Sequence, residues 1–159
     1  MTPDWVVIYC DGSALKNPGP GGYAWWYNQS SWQAEGFTGP VTNNAMELAA
    51  IARILEQVPS TQNLVIRTDS KYSIDAVTKW AHGWKRNNWA KKDGKEISNL
   101  AVIQEIFTQL NSGRKVKLEW VRGHNGDPGN ERADSLARNA AIQAKNGRGN
   151  HALGPGWVL

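Results

Sequence analysis

The chain has 159 residues, 20% charged and 40% hydrophobic, with 18 Lys and Arg against 14 Asp and Glu for a net charge of +4; this suits one globular domain with a sizeable core. No run of 18 apolar residues is present to span a bilayer, and the single cysteine, Cys10, excludes an intramolecular disulfide. The start "MTPDWVVIYC" has neither the basic nor the apolar region of a secretion signal, so a cytoplasmic protein with no membrane partner is expected. The positive excess is mild, so only a local basic patch could attract a polyanion.

Trp5 to Cys10 reads as a strand whose near-continuous apolarity predicts cover on both faces, and it ends at Asp11 before a Gly/Pro-rich stretch. "GGYAWWYN" and "SWQAEGF" predict two more strands joined by a turn at Asn28–Ser31. "NNAMELAAIARILEQV" is a helix, because Leu48, Ile51, Ala52, Leu55 and Val58 recur at helical spacing, and Pro59 marks its end. "LVIRT" is a short buried strand with a short helix after Ser70. From Trp80 to Lys95 a Trp- and Lys-rich segment predicts a helical turn or two and then a loop. "SNLAVIQEIFTQL" predicts a helix, "KVKLEW" a strand and "NERADSLARNAAIQAK" the last helix. Residues 146–159 carry many glycines and no periodicity, which predicts a flexible tail behind a domain spanning residues 1–145. Hairpin strands followed by alternating strands and helices imply an α/β fold, a mixed sheet flanked by helices.

Four carboxylates occupy unusual places. Strand alternation puts Asp11 on the face of Val7 and Tyr9, and Asp69 ends "LVIRT" as Asp11 ends the first strand. If those strands are parallel neighbours, both acids emerge together at the carboxyl edge of the sheet, where ligand sites favour such folds. Glu47 shares a helix face with Ala50, Ile51, Ile54 and Val58, and so points inward. In the last helix Asp134 borders a stripe of Ala133, Leu136, Ala137, Ala140, Ala141 and Ala144, with Asn130 inside it. Each acid also has a plain structural explanation. Asp11 suits an Asx turn, Asp69 or Ser70 a helix N-cap, Glu47 a capping box with Asn44, and Asp134 a pair with Arg138. Four together are harder to explain that way. Two such carboxylates about 4 Å apart repel by roughly 4 kcal/mol at an effective dielectric near 20, so a converging cluster must take up protons or bind cations. An all-oxygen ligand set suits hard ions such as magnesium.

The stretches "DGSALKNPGPGG", "TNNAMELAA", "TDSKY" and "WVRGHNGDPGNERADSLA" closely resemble, in order and spacing, the motifs of type 1 ribonuclease H, over about Trp5 to Ala144. The resemblance implies a ribonuclease H-like fold with a five-stranded mixed sheet whose first three strands are antiparallel. It also implies a metal-dependent endonuclease that hydrolyses the RNA strand of RNA–DNA hybrids by a two-metal-ion reaction, leaving 3′-hydroxyl and 5′-phosphate ends. Two Mg2+ ions, or Mn2+, would then be the cofactors, with Asp11, Glu47, Asp69 and Asp134 as catalytic metal ligands. His124 corresponds to the family's flexible-loop histidine, thought to assist proton transfer or product departure. Its setting in "RGHNGDPGN" agrees, since three glycines and a proline suit a mobile loop and an imidazole suits a proton carrier, although a lone loop histidine is often a solvated bystander.

RNA is told from DNA through its 2′-hydroxyl. The resemblance assigns that reading to Gly12, Ser13, Asn17, Asn43, Asn44 and Glu47, and contact with a DNA-strand phosphate to Thr42 and Asn43. Asn17, Asn43 and Asn44 could equally be turn and cap residues. Lys71 stands where the family often has a neutral amide, which would exchange amide recognition for phosphate contact. "KWAHGWKRNNWAKKDGKEI" resembles the family's basic protrusion, in which Trp84, Lys85, Arg86, Lys91 and Lys92 would grip the hybrid. Trp80, four residues before Trp84, reads as its packing partner on a helix. A transposase or integrase core could share such a metal scaffold, but the chain has no accessory DNA-binding segment, and an intact acidic quartet argues against a binding module without activity. Nothing in the sequence calls for an obligate dimer, so a monomer acting on hybrid duplex is the expectation.

Overall fold

A computed structural model describes residues 4–158. Six strands form one mixed sheet in the order β5-β4-β1-β2-β3-β6: β1 Trp5–Ala14, β2 Gly19–Asn28, β3 Ser31–Val41, β4 Asn63–Thr68, β5 Val116–Trp120 and β6 His151–Gly156. The antiparallel pairs are β1–β2, β2–β3 and β3–β6, and the parallel pairs are β1–β4 and β4–β5. The first three strands are antiparallel, as expected. The sheet has six strands where five were expected, and the extra strand lies in the segment read as a flexible tail. After the last helix a turn at residues 144–148 reverses the chain, and His151–Gly156 then pairs with β3. Trp157 packs on Tyr27 and Trp25, with ring centroids 5.5 and 6.5 Å apart. Long-range pairing and partial burial of an indole hold this strand, and neither leaves a local pattern in a glycine-rich sequence.

Helices cover both faces of the sheet. Helix α1 (Asn43–Gln57) and α4 (Leu100–Leu110) lie on one face, where Val6, Ile8, Tyr23, Trp25, Leu48, Ile51, Ile54, Leu64, Ile66, Ile103 and Ile106 form the main core. Between them run α2 (Lys71–Asp75), a π-helical turn at residues 76–80 and α3 (Ala81–Arg86). The opposite face carries α5 (Pro128–Gln143), whose Ala137 and Ala140 meet Ala24 and Ala34. Small residues let this helix lie almost on the strands: a Cβ on Gly36 would stand 2.3 Å from the Ala140 carbonyl oxygen. The predicted stripe is buried at Ala133, Ala137, Ala140, Ala141 and Ala144. Among the described residues no helix is long and apolar enough to cross a membrane.

The first strand runs on past its predicted end. Asp11 is mid-strand and Ser13 and Ala14 still pair with Gly22 and Gly21, because β2 extends beyond the point where β4 stops and keeps this stretch extended. That asymmetry leaves Asp11 in the sheet but beyond its parallel neighbour, at the edge where Asp69 emerges.

Candidate active site

The register Tyr9–Arg67 between β1 and β4, continued by two residues, sets Asp11 opposite Asp69. Helix α1 brings Glu47 to the same point. One carboxylate oxygen from each of Asp11, Glu47 and Asp69 lies within 4.8 Å of the other two. Asp11 and Glu47 are buried, at 4% and 8% exposure, and Asp69 is half-buried. The approach of β1 to α1 depends on Gly12: a Cβ there would lie 2.2 Å from the Glu47 backbone nitrogen. Its N–H donates to Asp11 Oδ1 at 2.9 Å, and Thr68 Oγ1 donates to Glu47 Oε2 at 3.5 Å.

Charges of one sign here have no arginine or lysine paired with them. None of the ion pairs among the described residues involves Asp11, Glu47, Asp69 or Asp134. Burial, then the neighbouring Glu47 charge, pushes Asp11 up to about 11. Burial also raises Glu47, to about 7, so the pair retains at least one proton near neutrality. Asp69 is raised by burial and by the Asp134 charge, and the positive charge of His124 pulls it partly back. Asp134 adds to the rise of Asp11 from the helix side. The sheet and α5 therefore bring all five predicted catalytic residues to one end of the fold, with Asp11, Glu47 and Asp69 together, Asp134 in electrostatic reach of Asp11 and Asp69, and exposed His124 in reach of Asp69. A hard divalent cation fits this all-oxygen donor set and would relieve the crowded carboxylates in place of the protons they otherwise hold.

The structural alternatives are assigned elsewhere. Thr42 caps α1, its Oγ1 accepting from Ala45 N at 3.1 Å, so Glu47 is free of the capping box with Asn44. Ser70, not Asp69, caps α2. Asp127 caps α5. Asn130, only 1% exposed and one turn before Asp134, has its Oδ1 without a hydrogen-bond partner. Cys10 is buried at 0% exposure, a small core residue whose thiol pKa is raised by burial and by Glu47.

The residues expected at the substrate fall in two groups. Around Gly12 and Ser13, Asn43 Oδ1 accepts from Ala14 N at 2.7 Å and Asn17 Oδ1 accepts from Asn43 N at 3.1 Å, which ties β1, the 15–18 turn and the start of α1 together. Their amide oxygens are thus engaged in the scaffold, while both residues remain exposed. The second group surrounds two adjoining cavities. Thr42, Asn44, Trp84 and Lys91 line one of about 320 Å³, and Trp84, Arg86, Lys91 and Lys92 line one of about 720 Å³. Lys85 does not line the larger cavity; its Nζ stands over the Phe107 ring at 5.8 Å. Trp80 packs on Trp84 and Tyr72 as its spacing predicts, with centroids 6.0 and 5.8 Å apart, yet remains 43% exposed and lines both cavities. Sequence reading missed Tyr72 and Asn99, which complete the smaller cavity and join through Asn99 Nδ2 donating to Tyr72 Oη at 3.2 Å. The "TDSKY" motif contained the first, and nothing local marked the second. Lys71 is exposed, its Nζ 4.7 Å above the ring of Trp120, whose Nε1 donates to the Asp69 carbonyl at 3.2 Å.

Comparison with known proteins agrees with this geometry. Residues 3–142 match the family described as RNase H. The ribonuclease H of Tropheryma whipplei (strain Twist) is 42% identical over 159 residues, covering 99% of this chain and 97% of that one. The ribonuclease H of Polaromonas naphthalenivorans (strain CJ2) is 39% identical over 145 residues, covering 89% and 90%. Among solved structures, LC9-RNase H1, a type 1 RNase H with the type 2 active-site motif, superposes with a TM-score of 0.72 at 29% identity over 99% of this chain and 78% of that chain. A foamy viral protease-reverse transcriptase in complex with dsDNA shares the fold, with a TM-score of 0.74 at 20% identity over 87% and 94%.

Proposed function

This chain belongs to the ribonuclease H family and is a ribonuclease H enzyme, and from that premise we propose that it hydrolyses the RNA strand of RNA–DNA hybrids at the Asp11, Glu47, Asp69 and Asp134 cluster with the help of two magnesium ions. The observation that carries this reading is the convergence of three carboxylate oxygens within 4.8 Å with no ion pair to any of them among the described residues. Asp11 on β1, Asp69 just past the end of the adjacent β4, and Glu47 on α1 would hold the ions, with Asp134 beside them; manganese would suit the same ligands. Such ions would lower the pKa of a bound water so that it attacks phosphorus as hydroxide, and would offset the negative charge that develops on the leaving oxygen.

The rest falls to the chain itself. Attack on the phosphorus with rupture of its bond to O3′ yields 3′-hydroxyl and 5′-phosphate ends. His124, exposed beside Asp69, carries protons between the scissile phosphate and bulk water through its ring nitrogens. Asn17, Asn43 and Asn44, with backbone groups at Gly12 and Ser13, read the 2′-hydroxyl of the RNA strand, which DNA lacks. Thr42 holds a phosphate of the opposite strand. The cavities lined by Trp84, Arg86, Lys91 and Lys92 take the duplex outside the cutting point, by phosphate neutralisation and contact of indoles with sugars. Lys85 and Lys71 add positive potential, Lys71 from its seat on Trp120.

The test is cleavage of labelled RNA–DNA hybrid beside single-stranded RNA and duplex DNA, with magnesium and with chelator. Only the RNA of the hybrid is cut, magnesium is required, and Asp69→Asn lowers the rate by about a hundredfold or more. Cleavage of duplex DNA, or full turnover in chelator, would overturn the reading.

A further inference from the structure

One rung below the acidic cluster lies a row of polar side chains that the mechanism above does not use. Tyr9 and Arg67 are register partners on β1 and β4, and Arg67 and Glu119 on β4 and β5. Strand alternation puts Tyr9 on the face of Asp11 and Arg67 on the face of Asp69, two residues before each. Arg67 Nε donates to Glu119 Oε1 at 2.9 Å, and its Nη1 donates to the Tyr9 hydroxyl oxygen at 2.8 Å. Arginine only donates, so the phenol's own proton is left for another acceptor. It goes to Asp127 Oδ2, at 3.4 Å.

Asp127 is where the row meets the site. Its other oxygen, Oδ1, accepts from the backbone N–H of Gly129 at 3.0 Å and of Asn130 at 3.3 Å, capping the helix that carries Asp134. Asp127 also closes the connection from β5 to α5, residues 121–127, in which His124 is exposed. The other end of that connection is fixed where Val121 N donates to the Thr68 carbonyl at 2.9 Å. The Tyr9 ring is pressed against the first turn of α5, where a Cβ on Gly129 would stand 2.2 Å from Cε1. The ring therefore sets how near the helix can come, while the hydroxyl, polarised by Arg67, fixes Asp127 sideways.

Resting on the ribonuclease reading, we infer that Tyr9 is a positioning residue for the reaction: through Asp127 it sets where the 121–127 connection holds His124 beside the acidic cluster. Arg67 and Glu119 orient the Tyr9 hydroxyl from the neighbouring strands. Removal of the hydroxyl leaves the cap on Gly129 and Asn130 and the ring packing intact, so the fold is kept while the connection loses its sideways anchor.

The experiment compares steady-state hybrid cleavage by the wild type, Tyr9→Phe, His124→Ala and the double variant. Tyr9→Phe lowers kcat about three- to tenfold with KM within about twofold, and in the His124→Ala background it adds no further loss. Arg67→Lys, which keeps a cation near Glu119 but cannot span to the phenol, lowers kcat in the same way. An unchanged kcat in Tyr9→Phe, or an equal loss with His124 already gone, overturns the inference. If His124→Ala itself turns over like the wild type, the role given to His124 fails, and this inference with it. Slow His124→Ala beside normal Tyr9→Phe removes the inference alone.

Discussion

Gly12 was expected at the substrate, as a backbone reader of the 2′-hydroxyl, but its position shows a more demanding task. Its missing side chain is what lets β1 and α1 touch: an added Cβ would meet the Glu47 nitrogen at 2.2 Å and the Met46 carbonyl carbon at 2.3 Å, both backbone atoms that cannot swing aside. The same contact is what sets Asp11 and Glu47 side by side. Gly12→Ala is therefore expected to push the strand from the helix and separate the two acids. The expected cost is about 3 kcal/mol in chemical denaturation, near the upper end of ordinary overpacking, together with a loss of cleavage of at least about tenfold. Restored cleavage at high magnesium would show that the acids can still be drawn together. The acids themselves were legible because a charged side chain interrupts an apolar pattern at each one. The glycine's role was not legible, because a close approach between a strand and a helix leaves no trace in the local sequence.

At the level of elements, the sequence pattern located ten of the eleven strands and α-helices among the described residues, most securely where apolar periodicity was strong, as in α1, where Leu48, Ile51, Leu55 and Val58 are all buried. It failed where tertiary pairing decides. β6 is such a case: Gly154 and Gly156 take positive φ, yet the strand pairs with β3 and is followed by Trp157 packed on Tyr27. The segment after α3 shows another limit. Its charges were plain, but the composition could not say that Lys91 and Lys92 share a cavity with Trp84 while Lys85 turns to Phe107. That division gives the basic segment a testable energetics. Neutralising Lys91 and Lys92 together removes up to two phosphate contacts, so KM rises and its logarithmic salt dependence flattens by up to about two units, while kcat is spared. Lys85→Ala should change the salt slope by less than half of what the double variant does. Titrations of KM against salt for the two variants check this, and a normal KM at low salt in the double variant would remove the cavity from the binding surface.

Over the whole molecule, the cluster makes the fold pay in stability for a site made ready for cations. Asp11 and Glu47 hold protons in the folded chain, with Asp11 raised to about 11 and Glu47 to about 7, that the unfolded chain releases near 3.8 and 4.5. The native state thus binds more protons than the unfolded state as pH rises from about 4.5 through 7, and stability must fall with pH across that window. With one extra native proton the slope is about 1.4 kcal/mol per pH unit. In chelator, the thermal midpoint should drop by roughly 6 to 10 °C between pH 5.5 and 7.5 for a chain of this size. Asp11→Asn, which removes the most strongly raised acid, should flatten that slope and raise the midpoint at neutral pH while abolishing cleavage. Magnesium should act in the opposite sense to protons: it binds the deprotonated cluster, so its stabilisation of the wild type grows as pH rises and is largely absent from Asp11→Asn. Thermal denaturation across pH with chelator and with magnesium reads all three. A midpoint in chelator that stays level from pH 5.5 to 7.5 would mean that the carboxylates do not crowd one another, and the site would lose its reason to bind cations.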